Sequence, residues 1–517
     1  MSVFKYAGRQ KRFSMENAKD IPGVTYRGFL SQLTNEHQER LKRIQLFWDF
    51  YEGMQWDGST EGNLYAGGDE RPTINYCKRL VDTRGQFLMK NSLSFSIPES
   101  STDDQNTKEA RAFIKEKLDQ QWALNDVDIW VHDCVQTGGV TGDVFIRVNW
   151  EESTPFAPGY AKAEILPSNW VFFDYDTIQR NKVNSVTIAF PFEDTEHRKS
   201  GVFNKVVEEH KVTRIYQEVW TTETVTYLID GEIQSVDMNG LGVIPVVHIK
   251  NMPNSNGNFG TSDLHAVLNV QRLLNEKITD LSDIIQYHGS PQTFVLGADA
   301  SKLKRGHDEI WSVSDVNVKI GNLERKGDLK ANLEFISNLR QYMLDLSAIP
   351  EQAINPTKNV SNTPGVALHM SYLPMIETRK VQVALYGAGI KQISSLMLLM
   401  NSFRDPEFGA KFLPLPGYSK YTVDVGFGEA LPRDESLKLS NDQQRMAMGL
   451  ASRKQVLIEQ GYGENDAERI IKESDDDTVV RTEVLTANEP TADAFGKQRM
   501  PDPVVQGDKV STEAGKG

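Results

Sequence analysis

The stretch from Val243 to Asp283 reads VIPVVHIKNMPNSNGNFGTSDLHAVLNVQRLLNEKITDLSD, and its period changes part-way. The first part, VIPVVHIK, is a short β-branched run ending at Lys250, which predicts a buried strand over 242–250. MPNSNGNFGTSD is then a loop by its Pro, Asn and Gly content. It delivers Thr261 and Ser262 as N-cap residues and places Asp263 in the first helical turn. From Ser262 to Tyr287, Leu264, Val267, Gln271, Leu274, Ile278, Leu281 and Ile285 recur at alternating steps of three and four, an a/d-like seam. Such a helix is about 39 Å long, beyond what an ordinary globular core requires. Gly289 and Pro291 stop it.

Downstream, short strand-like runs (TFVLG, EIWSV, VNVKIGNL) lead into a second long helix from Lys326 to Leu346. Its stripe is Leu329, Leu333, Ile336, Leu339, Met343 and Leu346. Two long helices around a small β insertion predict a helical hairpin with a compact tip. IPEQAINPTKNVSNTPG, starting at Ile349, is a loop by its breakers and closes on Asn362-Thr363-Pro364, a cap followed by a proline at the first helical position. A helix then runs from Pro364 to Phe403, with Pro374 expected to kink it and Gly387 and Gly389 to soften it.

Upstream, a helix from Glu36 carries Leu41, Ile44, Phe47, Trp48 and Tyr51 on one stripe and ends at Gly53. RPTINYCKRLVDTRGQFLM places Ile74, Cys77, Val81 and Leu88 on a similar stripe. Helices fit Thr107–Trp122 and Val127–Gln136. GGVTGDVFIRVNW is a glycine turn and then a strand. Further strands fit Ala161–Leu166, Val171–Asp174, Val183–Phe192, Val212–Thr221 and Thr224–Ile229, and Asp230-Gly231 closes the last of these. The expected lobe is α+β with an antiparallel, meander-like sheet that KYTVDVGFG, from Lys420 to Gly428, rejoins. Arg433 to Glu473 reads as two helices parted near Gly449 to Arg453. Asp475 to Asp477 close the ordered part, and the Pro-, Gly- and Thr-rich remainder is expected to be disordered.

A chain of 517 residues exceeds one ordinary core and divides into lobes. No secretory leader is visible in its polar start, and the greasiest run, Leu396 to Met400, is too short to cross a bilayer. Cys77 and Cys134 sit in apolar helical patterns and read as buried thiols of a reducing compartment. A net charge of −14 argues against a protein that grips nucleic acid through a broad basic face, though not against one that lets it slide past. The chain lacks G-x-x-x-x-G-K-[ST] and H-E-x-x-H. GGVTGD has no dinucleotide-site context, and Glu151-Glu152 and Glu208-Glu209 read as solvated faces. No cofactor or metal is expected.

In order and spacing these elements resemble the portal (head–tail connector) family of tailed phages, of the long-tailed type. RPTINYCKRLVD resembles its early helix start. The opening stretch, with Leu274-Asn275-Glu276, resembles its strand-to-stem transition, and SNTPGVALHMSYLPMIETRK its tunnel-loop exit. The resemblance spans Tyr26 to Glu473. It implies a multi-lobed α+β portal fold: a wing over 26–260 with a return segment at 404–432, stem helices at 261–288 and 324–348, and a clip at 289–323. A tunnel loop at 349–363, a long kinked helix at 364–403 and a crown at 433–475 complete it, between a flexible arm at 1–25 and a tail at 476–517.

It also implies a homo-oligomeric, dodecameric, non-enzymatic ring at the capsid portal vertex of the virion, assembled in the host cytoplasm. Double-stranded DNA would cross its channel. The partners it implies are the terminase large subunit, a head–tail adaptor, and the major capsid and scaffolding proteins, with no membrane. On the tunnel loop, Lys358 is the sole cation, opposed by Glu351, and with Asn355 and Asn359 it would line the channel. A solvated, turning loop fits the same residues. Lys302, Lys304 and Arg305 in the clip form a partner surface or a solvated turn. The competing reading is a cytoplasmic multidomain enzyme acting on nucleic acid or nucleotides, with a dispersed site.

Overall fold

The computed structural model describes residues 34–56, 71–89, 92–98, 104–155, 158–176, 178–179, 182–200, 205–255, 257–289, 293–296, 319–322, 329–355, 370–411, 423–428, 442–459, 469–472 and 474. The N-terminal arm, most of the clip including EIWSV, the Pro364 helix start and the C-terminal tail lie outside them. The chain divides into a unit over 1–430 and a second over 431–517.

Four helices open the first unit. Helix α1 (Asn35–Glu52) is capped by Thr34 and ends on Gly53 at φ 88, the left-handed stop glycine tolerates. In α2 (Tyr76–Leu88), Asn75 accepts from the Lys78 N–H as the N-cap. Ile74, expected on this stripe, precedes the helix and is exposed. A short strand β1 (Ser94–Ser96) follows. Helix α3 (Gln105–Leu124) starts on Asp104. Helix α4 (Val127–Thr141) runs five residues beyond its expected end, through Gly138 and Gly139, and stops at Gly142, φ 87. The expected glycine turn is therefore helix. A Cβ on Gly138 would meet the Tyr386 hydroxyl at 2.0 Å, and one on Gly139 the Val81 side chain at 2.9 Å. Both glycines serve close approach.

The strands are β2 (Asp143–Glu151), β3 (Tyr160–Leu166), β4 (Val171–Tyr175), β5 (Val183–Ser200), β6 (Lys205–Trp220), β7 (Thr224–Ile229), β8 (Glu232–Met238) and β9 (Val246–Lys250). They form two antiparallel sheets rather than the single expected one. One has the order β3-β2-β9 and the other is the meander β4-β5-β6-β7-β8. Asp230 (φ 52) and Gly231 (φ 83) form the two-residue turn into β8, a strand the sequence reading missed. Arg147 on β2 clamps the sheets together. It reaches Glu164 on β3 and Glu218 on β6, each at 2.7 Å.

The first long helix, α5 (Leu268–Gly289), starts six residues later than expected. Residues 263–267 form turns instead, and the Ser262 hydroxyl donates to the Gly139 carbonyl while accepting from the Leu264 N–H. The hairpin β10 (Thr293–Leu296) and β11 (Lys319–Asn322) follows, and then α6 (Leu329–Ser347), which packs on α5. A short helix α7 (Glu351–Ile354) occupies the start of what reads as loop.

Residues 370–371 are helical, Tyr372 is a turn, and helix α8 (Leu373–Arg404) then starts with Pro374 in its first turn, where a missing N–H costs nothing; the long helix is thus interrupted beside the proline expected to kink it. Gly389 lets α8 approach β9: a Cβ there would lie 2.3 Å from Ile249 Cγ1. After α9 (Pro406–Lys411), β12 (Asp424–Gly426) pairs with β1 as a separate two-stranded ribbon. It does not rejoin the larger sheets, as was expected.

Helix α8 is the core of this unit. Ile390, Ile393 and Met397, each fully buried, pack with Val144, Ile146 and Trp122. Each such side chain contributes about 1.5–3 kcal/mol by leaving water. Among the described residues α8 is the one helix long and apolar enough to cross a membrane, and 61% of its most apolar window is buried inside the fold. The core therefore accounts for that apolarity. A second cluster joins α1, α2, the approach to α5 and the end of α6. A third fills the space between β2, β4, β5 and β9.

In the second unit, 442–447 is helical and ends at Gly449, φ 71, with the Leu450 N–H donating to the Arg445 carbonyl. Helix α10 (Arg453–Glu459) starts on Ser452, which accepts from the Gln455 N–H. The break falls where the sequence put it. A further helical segment is at 469–472.

Candidate functional site: the loop base after the second long helix

The loop base begins where α6 stops. The Ile349 N–H donates to the Leu344 carbonyl and the Ala348 N–H to that of Asp345, each at 3.1 Å. Leu344 and Ile349 share the second core cluster. This is a Schellman stop, except that alanine holds the left-handed position, at φ 54. Pro350 then opens α7, and the Asn355 N–H donates to the Glu351 carbonyl at 2.8 Å. Asn355 is half-buried at the end of the described loop base.

Three arginines hold this base. Arg340 on α6 pairs with Glu351. Glu351, which the sequence sets against Lys358, is thus engaged by a different cation. Arg79 on α2 donates to the Ile354 carbonyl at 3.4 Å. Arg84 donates one nitrogen to the Ser347 carbonyl and the other to Asp263 at 2.6 Å. Asp263 also accepts from Asn251 at 2.9 Å, whose own carbonyl accepts from Gln382 at 3.0 Å and from the Tyr386 hydroxyl at 3.2 Å. Burial pushes the Tyr386 phenol well up, so it stays a donor. One buried polar chain therefore runs from the loop base through the approach to α5 and the end of β9 to α8.

A second buried polar group lies between α1 and the strands. His248 Nε2 lies 2.7 Å from Asp143 Oδ1, and Tyr175 meets the other ring nitrogen at 3.1 Å. A histidine–carboxylate pair of this kind can activate a nucleophile. Here both ring nitrogens are engaged, the ring stacks on Phe145 at 4.7 Å, and the Ser168 hydroxyl donates to the Asp143 carbonyl. The pair stitches strands together. Arg40 sits beside it, buried among Phe145, Phe172 and Phe259, and burial lowers it to about 10, still charged at neutral pH. Cys77 and Cys134 are buried free thiols, as expected.

Of the six residues singled out from the sequence, the structure places Asn355 alone. Lys358, Asn359, Lys302, Lys304 and Arg305 lie outside the described residues. Sequence reasoning missed Arg79, Arg84 and Arg340. Their signal was slight: isolated arginines on helix faces otherwise read as solvated.

Residues 30–478 match the family model of the phage portal protein, SPP1 Gp6-like. The chain belongs to the SPP1 Gp6-like phage portal protein family. Portal proteins are structural rather than catalytic, which is consistent with a non-enzymatic chain. No curated protein matches this portal subunit significantly. Among solved structures it is similar to a chain of the virion of a native gene transfer agent particle, at 10% identity and a TM-score of 0.41, covering 74% of this chain and 88% of that one.

Proposed function

We propose that twelve copies of this portal subunit close into a ring at one capsid vertex and that double-stranded DNA enters and leaves through its channel. The clip region, 289–323, docks the terminase large subunit during packaging and a head–tail adaptor afterwards. The ring assembles in the host cytoplasm among major capsid and scaffolding proteins. Asn355, Lys358 and Asn359 line the channel, and Lys302, Lys304 and Arg305 belong to the docking surface.

The observation that carries this reading is the outer part of the α5–α6 pair. Ile285, Leu333, Phe335, Tyr342 and Leu346 are between 42% and 56% exposed. Apolar area on that scale marks an interaction surface, and head-to-tail packing of copies around a closed ring covers it. The acidic balance supports a conduit as well: with 71 carboxylates against 57 cations, net repulsion works against holding a polyanion tightly.

The test is particle mass and electron microscopy of the purified chain, with Leu333→Asp/Leu346→Asp beside it. Rings are expected from the first and smaller species from the second. A chain that stays monomeric at every salt and protein concentration sinks the proposal. Deleting Asn355 to Asn359 is expected to leave rings intact and to impair packaging. Loss of rings in that variant would assign the loop a structural role instead.

A further inference from the structure

The two edges of the five-stranded meander differ. On the β4 side, α1 closes the edge: Arg40 donates to the carbonyls of Ser168 and Val171 at 2.8 and 2.5 Å, and His37 lies 3.2 Å from the Phe173 carbonyl. On the other side β8 pairs, among the described residues, with β7 alone. All seven of its residues are exposed, Ile233, Val236 and Met238 at 65%, 57% and 89%. Natural edge strands are blunted by lysine, proline or a covering element. β8 carries neither residue, and its charges are Glu232 and Asp237.

The complementary charge is in the same sequence. Residues 1–33 hold six cations, from Lys5 to Arg27, against Glu16 and Asp20, a net +4 in a chain of −14. Their first residues, Ser2-Val3-Phe4-Lys5-Tyr6, include the β-branched Val3 and the aromatic Phe4 and Tyr6, residue types that suit an added strand. This segment joins the fold at Thr34, the cap of α1, on the closed side of the sheet. β8 is four inter-strand steps away, about 19 Å. A head-to-tail ring brings unlike surfaces of neighbouring copies together, and a tether on one edge with a vacant strand on the other is such a pair.

We propose that the N-terminal segment of one subunit adds to β8 of the adjacent subunit. Main-chain hydrogen bonds give the hold, and Glu232 and Asp237 select the basic segment. The inference rests on the ring reading above.

Amide hydrogen exchange over 232–238, with particle mass measured on the same samples, tests it. In rings of the full chain these amides should exchange slowly, and in rings of a chain lacking residues 1–20 about tenfold or more faster. Phe4→Cys/Ile233→Cys covers the case in which truncation prevents folding. On oxidation it should give a ladder of covalent multimers, and the buried native thiols do not compete. Rings whose β8 amides exchange equally fast with and without the segment overturn this inference alone. A bond formed only within single chains overturns it too, by placing the segment on its own β8. Absence of rings overturns the ring reading, and this one with it.

Discussion

Arg84 holds Asp263 at 2.6 Å with the two side chains only 11% and 6% exposed, and its other terminal nitrogen donates to the carbonyl of Ser347. One guanidinium thus ties the approach to α5 to the exit of α6. Removing it strands a buried carboxylate. Arg84→Ala should cost about 3–5 kcal/mol, measured by urea unfolding. Arg84→Lys should recover only part, because an ammonium lacks the planar fork that reaches both partners. Full recovery by lysine would show that charge alone suffices.

Ala348 pays a conformational cost at φ 54, a region where an L residue loses about 1–2 kcal/mol. Ala348→Gly relieves it at some cost in unfolded-chain entropy. The net expectation is a gain of about 0.5–1 kcal/mol in chemical unfolding. Ala348→Val should destabilise, because a β-branched side chain tolerates this region poorly.

Gly389→Ala should destabilise by about 1–3 kcal/mol, because the new methyl meets Ile249 at 2.3 Å. The diagnostic is non-additivity. Ile249→Ala opens the space the methyl needs, so the double variant should lose clearly less than the sum of the two singles.

Burial, with Arg40 nearby, lowers His37 from 6.5 to about 4. The unfolded histidine therefore takes up its proton first as the pH falls. Stability should decline between about 6.5 and 4, by at most about 3 kcal/mol, and this contribution should level off below that window. His37→Gln should flatten that part of the stability–pH profile. An unchanged slope in the variant would assign it to other groups.

Much of the architecture was legible because its signals are local. Gly53 acts within one turn of itself, and along β3 the apolar Ala161 and Ala163 alternate with Tyr160, Lys162 and Glu164 and are the buried ones. Two of the misreadings share a cause: a side chain or glycine serving a distant partner. Ser262 accepts from the Leu264 N–H as a cap does, but its hydroxyl also donates to Gly139, 123 residues away, and the helix starts only at Leu268. Gly138 and Gly139 looked like a turn but make room for Tyr386 and Val81. β8 was missed because its apolar residues are not buried, so it lacks the pattern by which a strand is read. At the loop base the sequence singled out Asn355 but not the arginines that anchor the base, because pairs such as Arg84 and Asp263 lie 179 residues apart in sequence.

Cys77 and Cys134 are 0% and 1% exposed, and burial pushes the Cys77 thiol up to about 12 and the Cys134 thiol higher still. The thiolate, the form that oxidants attack, is therefore scarce and sheltered at both positions. This subunit carries neither a crosslink that needs an oxidising compartment to form nor a thiol that ages in one, so its covalent chain stays the same in reducing and in oxidising surroundings.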